Sequence, residues 1–351
     1  MKVCPRCHRE FPDDALRCPT DQGELEARPD TLIGEDLGGY VVQERIGSGG
    51  MSVVYRAVRT SDRKSVAIKL LNRELAANLT QLQRVVDEAR ILSDIHHPGT
   101  LEFYDWGTTS DGLPYIAMEL LSGDPLDMVM WRAGAMSPIE VIPLLDQLLA
   151  AVGAAHEKGI VHRDLKPGNV FVLKGPTGGK IVKVLDYGLA KRVAMPAGAA
   201  QPGFRASGTP EYMAPEQACG EKAGAAADLY SIGVIAYEML TGRLPFIAPN
   251  SRELERAHRS LPPPSLERTM PSVPAPLSRL IDELMRKDPR TRPPTADAVR
   301  LRLRRVAREM GLSPQKVPLP ALPQRPERWR RVAAAACAAM ALAFALLALL
   351  P

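Results

Sequence analysis

The stretch that most restricts this chain is His162–Asn169, HRDLKPGN. A histidine, an arginine, an aspartate, a lysine and an asparagine surround a proline within one short loop. Polar side chains that converge in one loop need polar partners, because each buried group left unmatched costs about 1 to 3 kcal/mol. The rest of the chain must supply a scaffold for the loop and something polar for it to address.

That scaffold is large. From about residue 38 to about 310, strand-like and helix-like patterns alternate without a break. YVVQERIGSGGMSVVYRAV alternates apolar and polar residues about a glycine-rich centre, as two strands joined by a loop would, and SVAIKLL and LPYIAMELL are further strands. TQLQRVVDEARILSDI has apolar residues at helical spacing. SPIEVIPLLDQLLAAVGAAHEKG predicts a long helix, with Ser137 as N-cap and Pro138 at the first helical position. Strands concentrated before residue 120 and helices after it imply an α+β architecture with two lobes, 38–120 and 121–310. The 351 residues, 45% of them hydrophobic, suffice for such a core with appendages.

Three flanking regions stand apart. Residues 1–30 form a cysteine- and aspartate-bearing head. SPQKVPLPALPQRPE, within a linker spanning 311–331, is too rich in proline for helix or central strand and reads as extended. Val332–Leu350 is an uncharged apolar run of nineteen residues, about 28 Å as a helix, enough to cross a bilayer core. Arginines and Trp329 precede it, and basic flanks stay cytoplasmic, so a C-terminal anchor in the inner membrane is expected, with nothing beyond Pro351 to sense the far side. A buried helix or an alanine-rich tail is the other reading of that run. No apolar leader opens the chain, and with five cysteines disulfides are not expected. The net charge of +5 hides basic runs after residue 285, which suit solvated helix faces, an anionic membrane surface or nucleic acid. Lipid headgroups already account for the arginines before the apolar run, so no nucleic-acid partner is expected.

Several residues carry chemistry. In IGSGGMSVVY, Gly47 and Gly49 let backbone N–H groups approach a bulky anion, although glycine-rich turns also simply join strands. Lys69, inside the apolar strand VAIK, is costly to bury unless an anion and an acid neutralise it, and Glu88 on the following helix is the candidate acid. The alternative is a surface lysine on an edge strand. Asp164 and Asn169, with Asp186 in VLDYGLA, supply hard oxygen ligands of the kind that suit Mg2+ with substrate phosphates.

Taken in order, the glycine-rich loop, VAIK, the helix glutamate, HRDLKPGN, DYG and GTPEYMAPE resemble a bacterial, eukaryotic-like Ser/Thr protein kinase over residues 40 to 305. The resemblance implies a bilobal kinase fold that uses ATP with Mg2+ or Mn2+. Lys69 would hold the α/β-phosphates and pair with Glu88; Asp164 would orient the substrate hydroxyl and accept its proton; Lys166 would stabilise the transferring phosphoryl; and Asn169 and Asp186 would hold the metal. The implied nucleotide site takes in Ile46, Gly47, Ser48, Gly49, Gly50, Met51, Ser52, Val53, Val54, Ala67, Lys69, Met118, Glu119 and Leu121, with Met118 gating the adenine pocket. Glu216 would pair with Arg292, and Asp228 would brace the catalytic loop.

The chain departs from that family at Ser52, where a third glycine is usual, and at Tyr187, where phenylalanine is usual. Neither change removes a reacting group, so an active kinase is expected, against the alternative of a membrane-tethered pseudokinase scaffold. Between Leu189 and Met213 the only Ser/Thr hydroxyls are Ser207 and Thr209. Thr209 matches the residue that meets the catalytic loop, which leaves either autophosphorylation at Ser207 or activation without phosphate. Expected partners are proteins bearing Ser or Thr, the bilayer and, as a further candidate, a second copy of the chain.

In the head, Cys4-x-x-Cys7 is followed by Cys18, with Asp21 where a zinc ribbon would carry its fourth cysteine. Zn2+ held by Cys4, Cys7, Cys18 and Asp21, with His8 as another candidate ligand, stands beside the reading of three reduced thiols and no metal.

Overall fold

The structure is a computed structural model and describes residues 2–7, 10–11, 15–27, 30–48, 52–71, 95, 97–175, 178–187 and 210–312. Two compact units form: residues 1–72 with 107–117, and the remainder.

The first unit is built of strands. In the head, β1 (Lys2–Val3) pairs antiparallel with both β2 (Glu10–Phe11) and β3 (Glu26–Ala27). A five-stranded sheet follows in the order β4-β5-β6-β8-β7, with β4 Tyr40–Ser48, β5 Ser52–Arg59, β6 Ser65–Leu71, β7 Phe103–Thr108 and β8 Pro114–Glu119, of which 103–106 and 118–119 fall outside this unit. The register fixes which residues share a face, because partners directly opposite each other point the same way. Tyr55 opposes Ile68 and Ala57 opposes Val66, a buried row. Val54 opposes Lys69, and Gly47 on β4 opposes Val54, which lines up Gly47, Val54 and Lys69 across three strands on the alternate face. Tyr115, 4% exposed, donates from its hydroxyl to the Leu37 carbonyl at 2.8 Å. Gly38 and Gly107 flank that ring so closely that a Cβ on either would lie 2.5 and 2.6 Å from the tyrosine oxygen.

The second unit is helical. The predicted cap forms: Glu140 accepts from the backbone N–H of Ser137 at 3.1 Å and from its hydroxyl at 2.9 Å, closing the start of α2 (Pro138–Glu157), which follows α1 (Leu126–Ala133). These bonds hold the Glu140 carboxyl below its ordinary range. Its apolar stripe, Val141 through Ala155, lies in the core. The remaining helices are α3 (Pro215–Ala218), α4 (Ala225–Thr241), α5 (Ser251–Ser260), α6 (Leu266–Thr269), α7 (Ala275–Leu284) and α8 (Ala296–Glu309). Residues 227–237 of α4 are buried on every side, and a Cβ on Gly233 would come within 2.8 Å of the Leu284 Cβ, so glycine permits the close crossing with α7. A three-stranded sheet, in the order β11-β10-β9, carries β9 (Gly123–Pro125), β10 (Val170–Lys174) and β11 (Lys180–Val184).

The basic run on α8 is a largely solvated helix face, with Arg304, Arg305 and Arg308 exposed, tied to its neighbours by ion pairs. Arg300 and Arg304 reach Asp146 of α2 at 3.3 and 3.0 Å, and Arg302 grips Glu283 of α7 through two bonds of 2.6 and 2.9 Å. Among the described residues, the helix long and apolar enough to cross a membrane is α2, which belongs to the core. The expected membrane run, 332–350, lies outside the described residues.

Candidate active site

Within the helical unit, the polar loop His162–Asn169 lies between α2 and β10. Its backbone is held from below by Asp228, which is 1% exposed. The Asp228 carboxylate accepts from the N–H groups of His162 and Arg163, each at 2.8 Å, and lies 2.8 Å from His156 Nε2. The reason for this brace is visible in the backbone: Arg163 adopts φ +64°, a region that residues with a Cβ seldom enter, and its amide is pinned there. Its carbonyl accepts from Gln217 at 2.8 Å.

Past the brace, the chain turns through Pro167–Asn169. Asn169 Nδ2 donates to the Asp164 carbonyl at 2.8 Å, and Lys166 Nζ stands 3.8 Å from the Asp164 carboxylate. The Asn169 carbonyl accepts from Leu185 N–H at 2.8 Å, and His162 Nε2 meets the Leu185 carbonyl at 2.8 Å. These bonds tie the segment carrying Asp186 to the loop. Asp186, two residues past β11, is exposed and adopts φ +45°. Asp164, Lys166, Asn169 and Asp186, read separately from sequence, thus lie on two segments joined by hydrogen bonds. The side-chain oxygens of Asp164, Asn169 and Asp186 are hard donors of the kind that suit a divalent ion such as Mg2+, with the Lys166 ammonium beside them.

Tyr187 replaces phenylalanine without stranding its hydroxyl, which donates to the Ala151 carbonyl at 3.3 Å; burial raises its pKa. Its ring lies 4.9 Å from that of His162. Glu216 and Arg292, 6% and 4% exposed, form a two-bond ion pair at 2.7 and 2.8 Å, and Arg292 also donates to the Ala226 and Lys287 carbonyls.

The nucleotide residues named from sequence fall as follows. Gly47, Val54, Ala67 and Lys69 share one face of the strand-rich unit's sheet, with Ala67 opposite Arg56, while Ser48 and Val53 pair in the alternate row. Ile46 is 44% exposed and Ser52 begins β5. Met118 and Glu119 end β8, and Leu121 follows, half-buried. The Glu119 N–H donates to the Glu102 carbonyl at 2.8 Å. Gly49, Gly50, Met51, Glu88 and Ser207 lie outside the described residues.

Sequence reasoning missed two polar groups. Lys183, 5% exposed, pairs with Glu119 at 2.7 Å and donates to the Thr100 carbonyl at 3.2 Å. The cost argument that singles out Lys69 applies equally to a lysine within KIVKV, but its acid lies 64 positions away, and spacing gives no hint of it. His156, in the last turn of α2, is the other: a lone histidine closing an apolar helix was the available signal.

In the head, the four atoms proposed as ligands converge. Single donor atoms of Cys4, Cys7, Cys18 and Asp21 all lie within 4.8 Å of one another. Cys4 Sγ donates to Asp21 Oδ2 at 3.1 Å, and Cys7 Sγ lies 3.6 Å from Cys18 Sγ. The backbone N–H of Cys7 donates to the Cys4 sulfur at 3.4 Å. Burial pushes the Cys4 thiol up to about 11, and its hydrogen bond holds the Asp21 carboxyl below its usual range. Asp21 Oδ1 accepts from Gly23 N–H at 2.9 Å, which fixes the carboxylate with Oδ2 towards the sulfurs. His8 lies outside the described residues.

The sequence and the fold match known proteins. A family described as the protein kinase domain matches residues 40–302. Two serine/threonine-protein kinases of Myxococcus xanthus, pkn2 and Pkn1, are each 40% identical, over 76% and 75% of this chain. The chain spans about a third of their length, 32% and 37%. The serine/threonine-protein kinase PknA of Mycobacterium tuberculosis is 37% identical over 76% of this chain and 62% of its own. In fold, the chain resembles the crystal structure of the Mycobacterium tuberculosis PknI kinase domain, at a TM-score of 0.60 and 24% identity, covering 78% of this chain and 98% of that one.

Proposed function

The chain belongs to the protein kinase family, and on that premise we propose that it transfers the γ-phosphoryl of ATP to Ser or Thr hydroxyls of proteins, its own included. The observation that carries this reading is the Asp228-braced loop, which sets the Asp164 carboxylate, the Lys166 ammonium and the Asn169 amide beside one another. In the reaction, the acceptor oxygen forms a bond to the γ-phosphorus, the bond to the ADP oxygen breaks, and the hydroxyl proton moves to Asp164. Lys166 supplies a fixed positive charge where negative charge spreads over the phosphoryl oxygens. Asn169 and Asp186 would hold Mg2+, which would screen the negative charge of the phosphates. Lys69 would hold the α/β-phosphates. Most of the rate comes from holding these groups in position, since little covalent work falls to the protein.

Incubation with labelled ATP, Mg2+ and a generic Ser/Thr acceptor, followed by phosphoamino-acid analysis, tests this. Acid-stable label on serine or threonine, absent with Asp164→Asn, is expected; label that persists in the variant would contradict the assignment. The same label, mapped by mass spectrometry, tests whether Ser207 is an acceptor.

Two further elements complete the proposal. Residues 332–350 anchor the kinase in the inner membrane with its catalytic domain in the cytoplasm, supported by the length of the apolar run and the arginines before it. Cys4, Cys7, Cys18 and Asp21 hold one Zn2+, supported by their convergence and by the Cys7 N–H that donates to the buried Cys4 sulfur.

A further inference from the structure

We infer that the head is a peroxide-reactive thiol site in which Cys7 and Cys18 form a reversible disulfide that expels the zinc; this rests on the zinc reading of the same four residues. The three thiols are not equivalent. Cys4 and Cys18 are fully buried, whereas Cys7 is half-buried and is the one of the three with surface open to solvent. Cys4 Sγ is engaged by Asp21 Oδ2 at 3.1 Å, while Cys7 Sγ and Cys18 Sγ face each other at 3.6 Å. An oxidant therefore meets Cys7 first, and the sulfur poised to resolve the product is Cys18.

The chemistry balances with hydrogen peroxide as the co-reactant. The Cys7 sulfur attacks one peroxide oxygen, the O–O bond breaks and hydroxide leaves to become water, so that Cys7 carries a sulfenic acid. Cys18 sulfur then attacks Cys7 sulfur; the S–O bond breaks, a second hydroxide leaves as water, and the S–S bond forms. Two electrons pass from the sulfurs to the peroxide, and two protons are consumed if both thiols start as metal-bound thiolates. Cys4 and Asp21 remain as ligands, half of what a closed tetrahedral zinc site uses. Thiol reductants reverse the bond and restore the site.

The test uses the full-length protein, purified with zinc under reducing conditions, analysed for metal and then treated with hydrogen peroxide. Zinc release followed with a chromogenic chelator should match the loss of two thiols per chain, and non-reducing peptide mapping should find Cys7 joined to Cys18. A reductant should return both thiols and zinc uptake. In Cys4→Ser the same cross-link should still form, and in Cys18→Ser a sulfenic-acid trap should mark Cys7. A Cys4–Cys7 or Cys4–Cys18 link, or over-oxidised cysteines with no cross-link, would overturn the proposal. Protein that never takes up zinc overturns the metal reading alone, because the cross-link is scored separately on the same metal-free sample.

Discussion

Replacing Asp228 by alanine should cripple the catalytic loop before it touches any reacting group. Asp228 accepts from two backbone N–H groups and pairs with His156, all at 2.8 Å, at a site 1% exposed to solvent. The alanine variant strands the His162 and Arg163 N–H groups, at about 1 to 3 kcal/mol each, and removes a partner of His156 at about 1 kcal/mol. The sum, about 3 to 7 kcal/mol, is a large part of the 5 to 15 kcal/mol typical of a domain. Arg163 adds a second effect, since its φ of +64° is a strained conformation held by one of the bonds removed. Relaxation there displaces Asp164, the next residue, so kcat should fall more than the fraction of folded protein does. Asp228→Asn, which keeps one acceptor oxygen, should lie between the two. Urea unfolding followed by circular dichroism, with phosphoryl transfer measured where the variant is still folded, checks both effects. An unchanged urea midpoint, with kcat within about twofold of wild type, would refute the reasoning.

Other outcomes follow from the same structure. Glu216→Gln and Arg292→Met should each cost about 3 to 5 kcal/mol by leaving a buried charge unpaired, whereas a double replacement by apolar residues should cost much less; a double-mutant cycle in urea measures the coupling. Tyr187→Phe should leave stability within about 1 kcal/mol and activity intact, because its hydroxyl makes one long bond to a helix carbonyl; urea unfolding and labelled-ATP turnover check both. Burial brings His258, hydrogen-bonded to Tyr230 and close to Lys287 and Phe246, down to about 4 from an ordinary 6.5. As pH falls below 6.5 the unfolded chain takes up that proton first, so stability drops until about pH 4, by about 3 kcal/mol; His258→Gln should flatten that slope in thermal unfolding against pH.

What could be read from the chain alone was whatever sits close together along it or repeats with a simple period. The Ser137 cap was legible because its partner, Glu140, is three residues on. The roles of Asp228 and the Glu216–Arg292 pair were legible only through the family resemblance, since those partners lie more than sixty positions from what they hold. Where no motif bridged the gap, the sequence was silent. Lys183 finds Glu119, and the arginines of α8 find Asp146 and Glu283, because packing brings distant segments together. Periodicity reports that a face is buried or solvated but does not name the residue opposite. The head shows the same limit: spacing left Asp21 and His8 both open, and the convergence of Asp21 Oδ2 with the Cys4 sulfur is a property of the folded turn.

The central claim is that Asp164, held by its loop, acts on the acceptor hydroxyl and not on ATP binding. Steady-state transfer by Asp164→Asn, set beside nucleotide affinity measured by calorimetry on the same preparation, tests it directly. The account predicts a fall in kcat of about a hundredfold or more with ATP affinity unchanged within about threefold. Loss of ATP binding with kcat preserved at saturating nucleotide would contradict it.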